Sequence, residues 1–391
     1  MGQKVIDHAE VRRLPRREFI RSAATVAAVA GLSPAAMLGC QSTSSSSASS
    51  NNSDAMDQAL EMMAGLEPFA NHGPMAAEAL VSLGRAESII PFVNAYKKRF
   101  TSPYPSSYQT VTSTNWREAL GDGRRISDWT IFFNRQLKEA AWPKVLDLWS
   151  GRLAPGLAAA AAHGLIRTAH ATRSLSVKET DLRLRELAEG LSYWAAYYQE
   201  LPENPKATGV KLKPLDAINQ VPLVPVERRR GGSVTNGLRA VNEFAPFAAV
   251  SSMVETTGQP ETVISELTHA FATAYVRKIR PGNLIILLHA VTCTSGLRSL
   301  LPYLSHTTAE RMLHYGWLVG AALYSIGAID STNGRIEDQE IKRDDLIERA
   351  VATREEHAIK FTEACLREYS LNPNTVYLQA AKDALGRLPS F

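Results

Sequence analysis

Hydrophobic residues recur at spacings of three and four along nearly all of the chain from Asp54 to Phe391. This spacing gathers them on one face of an α-helix and therefore predicts helices almost throughout. The predicted helices cover residues 56–66, 74–83, 88–99, 128–149, 154–173, 180–200, 237–254, 261–279, 283–302, 308–329, 344–369 and 374–387. Alternating β-branched runs are scarce, and Val221–Val226 holds too many prolines for a central strand. The pattern predicts an all-α fold, a large multi-helix bundle-like single domain with a central cavity.

Three segments interrupt the helical pattern, at 101–127, 201–236 and 330–343. The middle segment is rich in proline and ends in the run Arg228-Arg229-Arg230-Gly231-Gly232. Because proline cannot continue a helix and glycine loosens one, this segment is the predicted crossover or lid.

The first forty residues have the layout of an export signal. Arg16-Arg17 follows a basic stretch and precedes an apolar run, Ala23–Leu32, that is too short to span a membrane as a stable helix. The arginine pair resembles a twin-arginine signal, and Leu38-Gly39-Cys40 resembles a lipobox with Cys40 as the lipidated residue. An ordinary signal peptide cleaved nearby is the alternative.

The polar run that follows Cys40 is dominated by serine and cannot bury enough apolar surface to fold. The predicted organisation is therefore a signal peptide at 1–40, a flexible tether at 41–53 and a helical domain at 54–391. We expect a lipoprotein on the periplasmic side, attached to the membrane only through its lipid anchor. Whether the anchor lies in the inner or the outer membrane stays open.

The formal charge of +4 resides almost entirely in the export signal. Of the 43 basic and 39 acidic residues, 1–40 hold six and three, which leaves 37 and 36 for the rest. A nearly neutral body lacks the electrostatic footprint of a nucleic-acid-binding protein, so no nucleic acid partner is expected.

Several common catalytic motifs are absent from the sequence. It contains no Gly-rich dinucleotide fingerprint, P-loop, Gly-x-Ser-x-Gly elbow, Cys-x-x-Cys-His or paired Glu-x-x-His motif. No flavin or nicotinamide site is predicted. Three cysteines cannot form a disulfide framework, and Cys293 and Cys365 are expected to be inert buried thiols, although they could pair after export.

Histidines carry the clearest chemical signal. His72 stands just before a predicted helix, His163 lies in the alanine-rich helix 154–173, and His289 and His357 lie in apolar helical surroundings. An imidazole in such a place must find a partner or bear a desolvation penalty. Four neutral imidazoles that converge from four helices would form a metal site, whereas the alternative is four core histidines bonded to carbonyls. His170 is expected to be solvated.

Two cations accompany these histidines. Lys360 follows His357 by three residues and shares its helix face, so it needs an acidic partner, a lowered pKa or conversion to a carbamate ligand; a surface lysine is the alternative. Arg167, one turn after His163, could clamp an anionic or phenolate substrate; a structural salt bridge is the alternative.

The chain resembles the questin oxidase-like family. The resemblance rests on motifs that occur in order from Asn71 to Ala364: NHGPMA, LAPGLAAAAAHGLIRTAHA, LAEGLSYWAAYY, LHAVTCTSGLRSLLP and EEHAIKFTEA. The sequence departs from the pattern at Thr292-Cys293-Thr294, where a glycine and small residues are expected, and this departure bears on the pocket wall. The family is all-helical, and its fungal members cleave a ring of polyketide anthraquinones and xanthones by oxygen insertion.

The resemblance implies an oxygenase, either a monooxygenase or a dioxygenase, that acts on an aromatic or quinone-like substrate. It implies a centre made of His72, His163, His289 and His357 with Lys360, and dioxygen as the second substrate. Such ligands suit Fe(II), the expected metal, with Zn²⁺ and hydrolytic or lyase chemistry as the alternative. A lipid-anchored helical binding protein that holds a hydrophobic small molecule without turnover is the rival hypothesis, and cofactor-free oxygenation is a third.

Overall fold

The computed structural model describes residues 55–66, 71–98, 103–204, 210–229, 233–329, 334–337 and 340–391. The predicted signal at 1–40, its Cys40 and the tether at 41–53 lie outside the described residues. Export, lipidation and membrane attachment therefore stay predictions.

The described residues are mainly helical. They contain no strand, only isolated β-bridges such as the one between Leu157 and Gln199. The helices are α1 (55–63), α2 (His72–Ser82), α3 (Ile89–Lys97), α4 (Ile126–Glu139), α5 (Trp142–Leu153), α6 (His163–Val177), α7 (Asp181–Ala196), α8 (Pro214–Ala217), α9 (Val234–Asn242), α10 (Pro260–Lys278), α11 (Leu284–Leu300), α12 (His306–Gly327), α13 (Arg343–Thr353), α14 (Glu356–Leu371) and α15 (Thr375–Arg387). They pack as a single domain, which confirms the all-α prediction.

Four predicted helices are broken in the structure. The segment 237–254 forms the end of α9, which stops at Asn242, and a separate 3₁₀ helix over Ala245–Ser252. The segment 128–149 forms α4 and α5, separated at the extended Ala140 just before Pro143. The segment 344–369 forms α13 and α14, because Arg354 turns left-handed with a φ of 52°. The segment 154–173 is helical only from His163 onward, after a short 3₁₀ turn at Ala154–Gly156. Apolar spacing does not report backbone handedness, so it could not locate these breaks.

Four helices form a closed ring at the centre of the molecule. Helix α2 packs on α6, α6 on α11, α11 on α14, and α14 returns to α2. Helix α11 is the most enclosed: every residue from Leu287 to Leu297 is buried. The stretch Leu284–Tyr303 has the length and apolarity of a membrane span, but 72% of its most apolar window is buried inside the protein, as in the core helix of a globular domain.

Close packing fixes the ring. Gly164 lets α6 approach α7, since a Cβ there would lie only 2.5 Å from Trp194 Cα. At the centre of the ring side chains from all four helices touch, and a cavity of about 790 Å³ lies to one side, where α11 begins. The middle of the bundle is occupied by polar side chains in contact, and the expected central cavity stays a prediction.

Candidate metal centre

One histidine projects from each helix of the central ring, and the four imidazoles meet. The ring centroids of His72 and His163 are 4.7 Å apart, those of His163 and His289 4.6 Å, those of His289 and His357 5.6 Å, and those of His357 and His72 4.6 Å. Lys360 joins them through its Nζ, which lies 2.9 Å from His72 Nδ1. The structure therefore brings together all five residues that the sequence suggested as metal ligands.

Unusual backbone conformations precede three of these histidines. The described non-glycine residues with positive φ are Asn71 (37°), Ala160 (46°), Ala161 (62°), Ala162 (67°) and Arg354 (52°). Each lies within three residues before His72, His163 or His357. Left-handed backbone costs an L-residue roughly 1–2 kcal/mol, and such conformations concentrate where function requires a particular geometry. The bends place His72 and His163 at the first position of α2 and α6, with both imidazoles directed into the ring.

Hydrogen bonds on the outer side of the rings fix their orientation. The Nδ1–H of His163 donates to the carbonyl of Ala160, and that of His289 donates to the carbonyl of Ile285 at 2.5 Å. His357 Nδ1 lies 2.7 Å from the Glu355 carboxylate, whose other oxygen accepts the Ala358 N–H at the start of α14. Acceptors of this kind hold the proton on Nδ1 and place the lone pair on Nε2, as in metal-binding histidines.

Two of these Nε2 lone pairs face each other. His163 Nε2 and His289 Nε2 are 3.0 Å apart. Since both Nδ1 atoms donate to carbonyls, which can only accept, neither neutral ring has a proton left for the other. The pair needs either an added proton or a cation between the two nitrogens.

Burial opposes the added proton. It lowers the pKa of His163 well below the usual value, and the neighbouring His289 and Lys360 lower it further. Burial, followed by the charge of His357, lowers the pKa of His289 to about 3. Both rings are therefore neutral near pH 7, and a metal cation is the partner that their lone pairs suit.

Lys360 determines how His72 can take part. Burial lowers the pKa of Lys360 to about 8 despite the opposing carboxylates of Glu356 and Glu355, and burial together with Lys360 lowers the pKa of His72. As an ammonium, Lys360 donates to His72 Nδ1. As a neutral amine, it can accept the Nδ1–H and leave His72 Nε2 as a free ligand. Its role as a ligand or a carbamate stays a prediction.

The separation of His163 Nε2 and His289 Nε2 suits a single ion. Two nitrogens bound at right angles, each about 2.1 Å from a metal, lie about 3.0 Å apart. His163 and His289 already have that separation, and ligand atoms of His72, His163 and His357 all lie within 4.8 Å of one another. Glu355 and Glu356 form a second group with His357 and supply negative charge near a cation. The donor set of imidazoles with adjacent carboxylates is one that Fe(II) and Zn²⁺ both accept.

Arg167 lies apart from this centre in its contacts. Its Nε and Nη2 donate to Glu186 at 2.6 and 2.8 Å, Nη2 also donates to Glu189 at 2.5 Å, and Nη1 donates to Tyr104 Oη at 3.0 Å. These contacts match the salt-bridge alternative. The substrate clamp was suggested by helical spacing, which does not show that the guanidinium is directed towards α7.

Other predicted residues fall outside the cluster. The expectation that His170 is solvated is wrong: the side chain is largely buried and its Nδ1 lies 2.6 Å from Glu78. Cys293 and Cys365 are buried free thiols, and burial raises the pKa of each, in keeping with inert core cysteines.

Sequence reasoning missed the groups that orient the imidazoles. Glu355 and the carbonyls of Ala160 and Ile285 were not identified as partners. Glu355 could have been found, because Glu355-Glu356-His357 places two acids directly before a buried histidine. Carbonyl acceptors belong to the main chain, so residue types in the sequence do not reveal them.

The profile of the questin oxidase-like family matches residues 69–365, which include all four cluster histidines and Lys360. The chain belongs to the questin oxidase-like family. A comparison with curated proteins finds no match. Family membership identifies the chain as an oxidoreductase of the oxidase or oxygenase type, with polyketide-type substrates.

Proposed function

We propose that this questin oxidase-like protein is a non-haem iron oxygenase that inserts oxygen into, or cleaves, a ring of an aromatic or quinone-like polyketide. The observation that carries the proposal is the pair of Nε2 lone pairs on His163 and His289, held 3.0 Å apart in a buried site. Neutral imidazoles held in this way by carbonyl acceptors need a cation.

The ligands that we assign to the ion are His163, His289 and His357, with His72 as a fourth when Lys360 is neutral. A bound iron ion would supply the open coordination position and the redox chemistry that dioxygen requires. The chain's own residues hold the imidazoles in one orientation through Ala160, Ile285 and Glu355. The burial of His72, His163 and His289 excludes water from the reacting atoms.

Lys360 is the residue that can move a proton in this site. With its pKa lowered to about 8, its Nζ exchanges a proton near neutral pH, whereas an ordinary lysine does not. Its contact with His72 Nδ1 gives the proton a second resting place. We assign to Lys360 the protonation of an oxygen that becomes negatively charged on the substrate.

Metal content and oxygen uptake test the proposal together. The purified protein should hold about one equivalent of iron, and H163A and H357A should each lose it with little loss of helicity. H306A is the matched control, because His306 is exposed and its ion pair is with Glu310 on α12. Less than about a tenth of an equivalent of any transition metal would contradict the proposal.

Further outcomes separate the rival functions. Bound zinc with no oxygen uptake would favour hydrolytic or lyase chemistry, and turnover that survives chelation would favour cofactor-free oxygenation. Ligand binding without turnover in metal-loaded protein would favour a binding protein. Labelling with ¹⁸O₂ distinguishes a dioxygenase, which places both oxygen atoms in the product, from a monooxygenase, which places one there and needs two electrons from a donor.

We also propose export by the twin-arginine route and lipid attachment at Cys40. The support is sequence alone: the arginine pair, the short apolar run and the lipobox-like ending. Replacing Arg16 and Arg17 with lysine should retain the protein in the cytoplasm, and C40A should release it from the membrane fraction. Unchanged fractionation of both variants would contradict the proposal.

A further inference from the structure

A cavity of about 790 Å³ lies between α9, the start of α11 and the end of α12, and it is lined by Ile285, one helical turn before His289. Its volume lies within the range of small-molecule binding sites. The aliphatic residues of its wall include Val234, Ile285, Ile286 and Ile326. Two arginines, Arg229 and Arg280, also line the cavity. Apolar walls with a few charged groups are typical of sites that bind a flat hydrophobic molecule with one polar end.

The two arginines form no ion pair with the residues that the structure describes. Among the described residues, the Arg229 guanidinium donates to two carbonyls, from Nε to Val224 at 2.8 Å and from Nη2 to Ala328 at 2.6 Å, which hold it in place without an ion pair. Arg280 is close enough that its charge adds to burial in lowering the pKa of Arg229. Within the described residues, neither guanidinium has an ion-pair partner. Two such groups at one cavity favour a bound anion.

The cavity wall and the metal centre share one helical turn. Ile285 lines the cavity, and its carbonyl accepts the Nδ1 hydrogen of His289 at 2.5 Å. Asn283 ties this turn to the end of α12 by donating to the Gly327 carbonyl at 3.0 Å. A molecule that rests on Ile285 therefore lies against the same turn of α11 that orients a proposed metal ligand.

We propose that this cavity binds the substrate, and that Arg229 and Arg280 select an anionic aromatic polyketide through its carboxylate or phenolate. The proposal deepens the proposed function and rests on it for the reaction. The sequence suggested Arg167 for the anion-binding role, but its guanidinium donates to two glutamates. We assign that role instead to Arg229, in the predicted loop segment 201–236, and to Arg280, which follows α10.

Binding to the metal-free full chain tests the proposal independently of turnover. The probes are anthraquinone-2-carboxylate and its neutral carboxamide, and the dissociation constants are measured by calorimetry after chelation. We expect the carboxylate to bind the wild type more tightly, and R280Q to weaken carboxylate binding at least about tenfold while changing carboxamide binding less than about twofold. R277Q is the matched control, because Arg277 lies one turn earlier, is exposed and does not line the cavity.

Two further variants keep the test decisive. R280E should reverse the preference between the two probes, and V234W should weaken both by filling the cavity. Thermal unfolding of each variant shows whether it is folded. Equal binding of both probes, with no response to R280Q or R280E, would overturn the proposal. The protein as purified, before chelation, could prove to contain no metal and still bind the carboxylate selectively. That result would support the cavity assignment and contradict only the proposed function.

Discussion

Helix α6 carries two buried polar centres one turn apart, and they differ in how completely they are satisfied. Around Arg167, one guanidinium meets two carboxylates and a tyrosine hydroxyl. Around His163, lone pairs and a lysine amine face one another with carboxylates only at the edge. The hydrogen bonds of the first centre are made by its own members, whereas the second is the centre for which we propose a bound metal ion.

The backbone differs in the same way. Arg167, Glu186 and Glu189 lie in regular helix, while the residues before His163 hold three successive left-handed alanines. A structural ion pair can form between residues of regular helices because long side chains adopt different rotamers to reach each other. Converging short imidazoles require the main chain to bend, and the bend persists because the surrounding packing enforces it. We interpret the facing imidazole lone pairs, together with the strained backbone before His163, as the marks of the functional centre.

The largest stability effect should come from breaking the centre around Arg167. R167M leaves Glu186 and Glu189 buried beside each other without a cation, and we expect the free energy of unfolding to fall by about 3–5 kcal/mol in urea titration. H163L in metal-free protein is the comparison and should change it by less than about 1 kcal/mol, because a neutral imidazole is replaced by an apolar side chain and no buried charge is left behind. A greater loss in H163L than in R167M would reverse our interpretation of the two centres.

Gly164 tests how tightly the position of α6 is specified. A Cβ in G164A would lie 2.5 Å from Trp194 Cα, which is backbone and cannot move aside. We expect a loss of about 1–3 kcal/mol by urea titration and a weaker affinity for metal, since His163 moves with the helix. The control is G296A in α11, whose Cβ would meet Ala169 at an ordinary 3.4 Å and which should be neutral or stabilising. Equal effects in the two variants would contradict the close packing.

Glu355 tests the outer support of the imidazoles. In E355Q an amide replaces the carboxylate that holds His357, while its oxygen can still accept the Ala358 N–H. Metal affinity should fall about 10–100-fold, with little change in thermal stability of the metal-free protein. E310Q, which alters the partner of the exposed His306, is the control. Unchanged metal affinity in E355Q, measured by competition with a chelating dye, would remove Glu355 from the site.

The pH dependence of stability tests whether the buried imidazoles are neutral. The buried imidazoles have lowered pKa values, so they stay neutral in the folded metal-free protein while the unfolded chain gains protons below about pH 6.5. The unfolded state then binds more protons, and stability falls as pH decreases, by about 1.4 kcal/mol per pH unit for each imidazole that stays neutral. H289L should reduce this slope by about one proton between pH 6 and pH 4. A slope that does not differ between H289L and wild type would contradict a neutral His289.

Sequence reasoning located most of this arrangement because its signals are local. Three-and-four spacing predicts the helices, and a histidine in an apolar helix predicts a buried partner, as His289 in α11 shows. The breaks before His163 and His357 escaped because alanine and arginine give no sign of a left-handed turn. The direction of Arg167 escaped for a related reason: one helical turn separates it from His163, but its partners lie on α7 and are distant in sequence. The cavity at Arg229 and Arg280 depends on three segments that only the fold brings together.

Anomalous diffraction at the iron edge, from crystals of the iron-loaded protein, tests the central claim most directly. The account predicts one peak within the histidine ring, about 2.0–2.2 Å from both His163 Nε2 and His289 Nε2. A ring without such a peak, in which His163 and His289 still face each other at 3.0 Å, would show that the imidazoles satisfy one another and would contradict the metal centre.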